Sequence, residues 1–191
     1  VIPDDLDEKL VLAALDVCGA PAQVEKLAKE NDTVFIIGAA GKSGVLCSYM
    51  AKKKVGKHGR VIGLVNEEAQ AKLLRDLHLV DDIIMENALN SVVVYEKMMA
   101  ITGSQLADLT INVVNVPSTE MTSILSTKDD GIVYFFSMAT SFTKAALGAE
   151  GVGKDINMLI GNGYAKGHAE TALDLLRRNA KIRALYDELY G

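Results

Sequence analysis

Six short apolar runs rich in β-branched residues recur along the chain, at Val34–Ile37, Val61–Val65, Ile83–Met85, Thr110–Val114, Ile132–Phe136 and Ile156–Ile160, with starts 22 to 27 residues apart. Each interval has room for one strand, a turn and one crossover helix. The runs are continuous rather than alternating, so the strands are expected to be covered on both faces, which selects a parallel sheet between helices. Helical patterning fills the gaps, most clearly at Gly44–Lys54, Glu67–Leu77, Asn90–Ile101 and His168–Arg178, and Ala69, Leu73, Leu74 and Leu77 share one face of the second. The expected fold class is α/β, a Rossmann-type doubly wound six-stranded parallel sheet.

Helices are also expected at both ends. Asp4–Asp16 reads as a lead-in helix whose acidic first turn suits the positive end of the helix dipole, Gly19-Ala20-Pro21 breaks it, and Ala22–Lys29 resumes it. A long C-terminal helix is expected over Ala169–Leu189. The expected division is a helical lead-in (1–31), the strand–helix units (32–166) and the C-terminal helix (167–191), all within a single domain of 191 residues.

A chain that is 49% hydrophobic can bury a sizeable core. With 20 Lys and Arg against 25 Asp and Glu, a net charge of −5 and no basic block, nucleic acid is not an expected partner. The apolar runs fall far short of the roughly 20 residues a membrane span needs, and no basic-then-apolar leader opens the chain, so a soluble, cytoplasmic protein without a membrane partner is expected. Cys18 and Cys47 form neither a disulfide framework nor a four-ligand metal site and read as buried, reduced thiols. No metal is expected. Because the chain starts at Val1 and a helix leads directly into a nucleotide-type strand, it reads as part of a longer protein, its substrate domain absent.

The most informative stretch joins the first strand to the helix after it: Gly38-Ala-Ala40-Gly41-Lys42-Ser43-Gly44. Gly38 permits a sharp turn, Gly41 lets the backbone approach a diphosphate, and Gly44 lets the helix pack against the strand. The helix N-terminus then offers free N–H groups and partial positive charge to phosphates. Gly38, Ala40, Gly41, Lys42, Ser43 and Gly44 are thus the expected phosphate cradle. The spacing is similar to the Gly-Ala-Ala-Gly turn in the nucleotide half of medium-chain dehydrogenases and quinone reductases. Two other motifs are discounted. Gly41-Lys42-Ser43 imitates the end of a phosphate-binding ATPase loop, but Ile36 stands in mid-strand where that loop needs a glycine. Tyr49 and Lys53 imitate the proton-transfer pair of short-chain dehydrogenases, but on the first helix of the series.

The residue that reads the adenosine ribose is expected at the end of the second strand, about 20 residues past the glycines. Asn66 stands there, followed by Glu67 and Glu68, with no Lys or Arg between Val65 and Ala71. Asn66 can bind a 2′-hydroxyl, and the carboxylates oppose a 2′-phosphate, so NAD is favoured over NADP. Other cofactor contacts are expected at the carboxyl ends of later strands, at Asn87, Asn115, Val116, Ser137 and Met138, with the Gly161-Asn162-Gly163 turn beyond. His58 reads as a solvated loop residue and His78 as a helix C-terminal dipole partner. His168, after the last strand, reads as a helix-capping or interdomain residue, with a substrate or cofactor role as the alternative.

Three segments together resemble the nucleotide-binding half of the L-erythro-3,5-diaminohexanoate dehydrogenase family: Ala14-Leu-Asp-Val-Cys-Gly-Ala-Pro-Ala-Gln23, Gly38-Ala-Ala-Gly-Lys-Ser-Gly-Val-Leu-Cys47 and Gly161-Asn-Gly-Tyr-Ala-Lys-Gly-His-Ala-Glu170. The resemblance implies NAD-dependent oxidative deamination of L-erythro-3,5-diaminohexanoate to 5-amino-3-oxohexanoate in lysine fermentation. It also implies a small-molecule substrate and an N-terminal substrate domain of the same enzyme as partners, with a homodimer left open. That chemistry needs a base for the ammonium proton, an anion for the second ammonium and a cradle for the carboxylate. No catalytic residue is assigned within this chain, which alone is expected to be inactive. A non-catalytic NAD(H)-sensing domain and a quinone-reductase-like dehydrogenase are the alternatives.

Overall fold

The computed structural model describes residues 2–161 and 163–190. Its strands are β1 (Thr33–Ile37), β2 (Arg60–Val65), β3 (Asp82–Met85), β4 (Ala107–Asn112), β5 (Thr127–Phe135) and β6 (Asn157–Ile160). They form one sheet in the order β3-β2-β1-β4-β5-β6, with every neighbouring pair parallel. The chain thus runs outward from β1 to β3, crosses back to β4 beside β1, and runs outward again to β6. The reversal between β1 and β4 leaves a crevice at the carboxyl ends of the strands, because the two connecting segments there depart in opposite directions.

Strand residues feed two cores. Val34 and Ile36 point into a large cluster with α1 (Glu8–Asp16), α2 (Gly19–Leu27), α3 (Lys42–Val55), α4 (Glu68–Leu77), α8 (His168–Arg178) and α9 (Ala180–Tyr190). Phe35 and Ile37 point to the opposite face, where Val94 and Met98 of α5 (Ser91–Thr102) cover them. Alternate residues of one run are therefore buried on opposite sides, which is why the pattern reads as continuously apolar. The second face is completed by α6 (Glu120–Ser126) and α7 (Phe142–Gly151).

Several boundaries differ from those expected. The lead-in helix begins at Glu8, where the Asp7 side chain accepts from the Lys9 N–H and caps it. Gly19-Ala20-Pro21 does not separate two helices but forms the first turn of α2. Proline is tolerated there because first-turn N–H groups have no intrahelical partner. The expected long C-terminal helix is divided at Asn179, whose extended backbone ends α8 and whose side chain accepts from the Ile182 N–H to start α9. β5 starts earlier than its apolar run, with a register shift between Ala107 and Leu109 of β4.

Both thiols are buried, and burial alone pushes the Cys47 thiol far above its usual range; desolvation also raises that of Cys18. Folded protein is expected to leave both unreactive toward a thiol-disulfide reagent at mildly alkaline pH, and denaturant to release both. Rapid labelling without denaturant would contradict their burial.

Candidate functional site

After β1 the chain turns at Gly38, whose φ of +85° belongs to the left-handed region that favours glycine. A side chain there would also approach Val114, with a Cβ 3.1–3.2 Å from its Cβ, Cα and N atoms. The Gly38 and Ala39 N–H groups donate to the Leu64 carbonyl, and Gly41 N–H donates back to the Gly38 carbonyl, closing the turn. Gly41 is the N-cap of α3 with an ordinary φ of −74°, so its demand is for space, not conformation. A Cβ on Gly41 would meet only the Gly38 carbonyl oxygen, at 3.4 Å. Gly44 is buried beneath the turn: its Cβ would lie 2.0 Å from the same oxygen. No side chain caps α3, so its first-turn N–H groups and positive dipole end face the crevice.

The crevice has a volume of about 910 Å³, within the range of small-molecule sites. Of the residues expected there from sequence, Gly38, Gly41, Lys42, Ser43, Asn66, Asn87, Asn115, Val116, Ser137 and Met138 line it together. Ala40, Gly44 and Glu67 are not among its lining residues. Gly44 acts from below through packing, and Glu67 is the exposed N-cap of α4. Glu68 is ion-paired with Arg75 at 2.6 Å on the surface of α4. Gly161 and Gly163 also line the cleft, while Asn162 lies outside the described residues.

Three polar or charged lining positions, Gln70, Glu86 and Asp16, are not among the cofactor contacts expected from sequence. Gln70 accepts from the Asn66 N–H at 3.3 Å and so orders the end of β2. Glu86, after β3, receives Lys97 Nζ at 2.9 Å, Asn90 Nδ2 at 2.9 Å and the Asn87 N–H at 2.9 Å. The hydrogen bond from Lys97, then those from Asn90 and Asn87, lower its pKa to about 2, so Glu86 stays charged until strong acid. Asp16, at the end of α1, and Ser43 flank Lys42, whose Nζ lies 2.9 Å from Asp16 Oδ2 and 5.1 Å from the centre of the Tyr190 ring. Tyr186 donates its hydroxyl to the Lys42 carbonyl, and burial raises that phenol well above its usual range, so it remains a donor. Asn87, expected from sequence as a cofactor contact, also shapes its own turn: its Oδ1 accepts from the Leu89 N–H.

Buried polar contacts hold the remaining walls. Asn112, at the end of β4, donates to Thr119 and Ser123 at 2.9 and 3.0 Å, tethering the 113–118 segment. Glu120 is 2% exposed and accepts from the Ser141 N–H at 2.7 Å, anchoring the segment that carries Ser137 and Met138. The histidines lie elsewhere. His58 is exposed, and His78 is the left-handed C-cap of α4. His168 starts α8, with Nδ1 2.5 Å from the Ala165 carbonyl and its ring edge-on to Tyr164, outside the lining of the cleft. Tyr49 and Lys53 lie in a small separate groove with Glu25, Glu170 and Asp174. Among the described residues, no cluster of His, Cys, Asp or Glu could hold a metal, and no helix is long and apolar enough to cross a membrane.

A six-stranded parallel sheet in this order, flanked by helices and opened at the β1–β4 reversal, defines an α/β Rossmann-like fold. Solved structures share it. An alcohol dehydrogenase from Thermotoga maritima superposes with a TM-score of 0.70 at 17% identity, covering 98% of this chain and 51% of that one. A mycobacterial protein in complex with NADPH superposes with a TM-score of 0.64 at 19% identity, covering 100% of this chain and 57% of that one. At these identities the likeness is one of fold. Sequence similarity goes further. L-erythro-3,5-diaminohexanoate dehydrogenase of Acetoanaerobium sticklandii is 57% identical over 190 residues, which are 99% of this chain and 55% of that protein. The enzyme of the same name from Fusobacterium nucleatum is 50% identical over 190 residues, 100% of this chain and 55% of its own length. No family model matches the chain. The chain spans about half the length of the curated relatives it matches and is similar, end to end, to the nucleotide-binding half of these oxidoreductases.

Proposed function

We propose that residues 1–191 are the dinucleotide-binding domain of an NAD-dependent amine dehydrogenase. Its reaction would be the oxidative deamination of L-erythro-3,5-diaminohexanoate to 5-amino-3-oxohexanoate and ammonia, in the cytoplasm of a lysine-fermenting cell. The observation that carries this reading is the 57% identity over 99% of the chain. The cleft supports it: a glycine turn with open space beside Gly41, set at an uncapped helix N-terminus, suits a diphosphate.

In this reading the first-turn N–H groups of α3 and the Lys42 ammonium bind the diphosphate, while Asn66 and Gln70 orient the adenosine ribose. Lys42 is the sole Lys or Arg among the described lining residues, and Lys97, behind Glu86, is already engaged by that carboxylate. A 2′-phosphate would therefore find no uncommitted cation at the β2 end, which favours NAD over NADP. Asn115, Val116, Ser137 and Met138 form the wall beside β4 and β5 against which the other half of the cofactor would lie. A dinucleotide held by these residues would supply a hydride acceptor for the amine-bearing carbon. The base and the carboxylate cradle are assigned to the substrate domain, outside these residues.

Full-length enzyme is expected to form NADH and release ammonia from L-erythro-3,5-diaminohexanoate, while residues 1–191 alone bind NADH without turning over. Activity of the full-length protein on a quinone or alcohol but not on the diamine would favour the quinone-reductase-like reading. NADH binding with no activity on any of them would favour a sensing domain. Turnover by the chain alone would place a complete acid–base site in it, with Tyr164, Lys166 and His168 as the first candidates.

A further inference from the structure

Asp16 is poorly placed for stability. It is the last residue of α1, at the negative end of the helix dipole, with no basic residue in the last turn to offset it. Its partner Lys42 is on another helix, and its own side chain is 68% exposed, so the ion pair is of the surface kind that contributes little to folding. Yet both residues line the cleft. The turn that follows Asp16 lies on the side of the sheet away from β2 and β3: a Cβ on Gly19 would come 1.9 Å from the Gly163 carbonyl, in the segment after the edge strand β6. With adenosine placed at Asn66 and Gln70, the α1–α2 junction that carries Asp16 lies toward the β6 end of the cleft, away from the adenosine.

We propose that Asp16 receives the non-reacting ammonium of the diamino acid substrate, and that Lys42 occupies it until the dinucleotide binds. This rests on the amine dehydrogenase reading above. Lys42 is the first residue of α3, directly after the Gly41 N-cap, so a diphosphate on that N-terminus competes with Asp16 for its ammonium. Once Lys42 turns to the diphosphate, Asp16 is left as an uncompensated carboxylate at the mouth of the cleft, 2.9 Å from where a cation has just been. A substrate ammonium restores the balance, so two ion pairs replace one and the cofactor prepares the substrate site.

The test uses full-length enzyme, L-erythro-3,5-diaminohexanoate and its analogue without the second amine, 3-aminohexanoate. Asp16→Asn is expected to reduce the preference in kcat/KM for the diamine over the monoamine by about tenfold or more, mainly through KM, with NADH affinity within about threefold of the wild type. Its thermal stability should equal or exceed that of the parent, since an unfavourable dipole interaction is removed, and Asp16→Glu should restore part of the preference. Lys42→Gln should weaken NADH binding while leaving the diamine preference in place. An unchanged preference in Asp16→Asn, or a loss of NADH affinity equal to that of Lys42→Gln, would overturn the proposal. If wild-type enzyme itself fails on the diamine, the amine dehydrogenase reading falls, and the assignment of Asp16 with it.

Discussion

Gly44→Ala is expected to destabilise the protein by about 3 kcal/mol or more, at or beyond the upper end of the usual overpacking cost. The added methyl would lie 2.0 Å from the Gly38 carbonyl oxygen and 2.6 Å from the Ala39 carbonyl carbon. Both are backbone atoms of residues whose N–H groups donate to the Leu64 carbonyl, so neither can yield by rotating a side chain. α3 must instead move away from the turn, loosening Val45, Leu46 and Cys47 in the main core. At roughly 2–4 °C per kcal/mol for a chain of this size, the melting temperature should fall by about 6–12 °C. Calorimetry or denaturant unfolding measures this directly. A melting temperature equal to that of the wild type would show that the helix does not approach the turn so closely.

The second large effect is the opposite in kind. Gly41→Val should fold, because Gly41 has an ordinary φ and a Cβ there makes only a 3.4 Å contact; loss of the glycine N-cap costs at most about 1 kcal/mol. The branched side chain would instead fill the space above the α3 N-terminus. Dinucleotide affinity is expected to drop at least tenfold, or about 1.4 kcal/mol, with far-UV circular dichroism unchanged. Affinity equal to the wild type would remove the diphosphate from this turn. Together the two variants separate a glycine needed for packing from one needed for a ligand.

That separation was legible from residue spacing, because a strand, a tight turn and a helix are local in the chain. The same holds for the apolar runs, whose burial on two faces leaves a pattern that needs no tertiary information. Boundaries set by single hydrogen bonds were less visible. Asn179 looks unremarkable in a helical stretch, yet it ends α8 and caps α9. β4 begins at Ala107, ahead of its apolar run, because β5 pairs with it through Thr127 before the register shift. The cleft was legible where it is built from strand ends, as at Asn87, Asn115 and Ser137, and opaque where a distant element folds over it. Asp16 belongs to a helix that precedes β1, and only the packing of α1 and α2 against α3 and α8 brings it beside Lys42. Glu67 was expected in the site because it follows Asn66, but it is the exposed N-cap of α4 and the cleft takes Gln70 from the next turn. Glu86 sits at a strand end like its neighbour Asn87, and its importance comes from Lys97 on α5, eleven residues later.

Titration of residues 1–191 with NADH, followed by nicotinamide fluorescence, tests the central claim most directly. The expected result is a saturable change in emission that NAD displaces more effectively than NADP and that Gly41→Val weakens at least tenfold. A folded protein whose titration shows no saturable change, or one identical in the wild type and Gly41→Val, would contradict dinucleotide binding in this cleft.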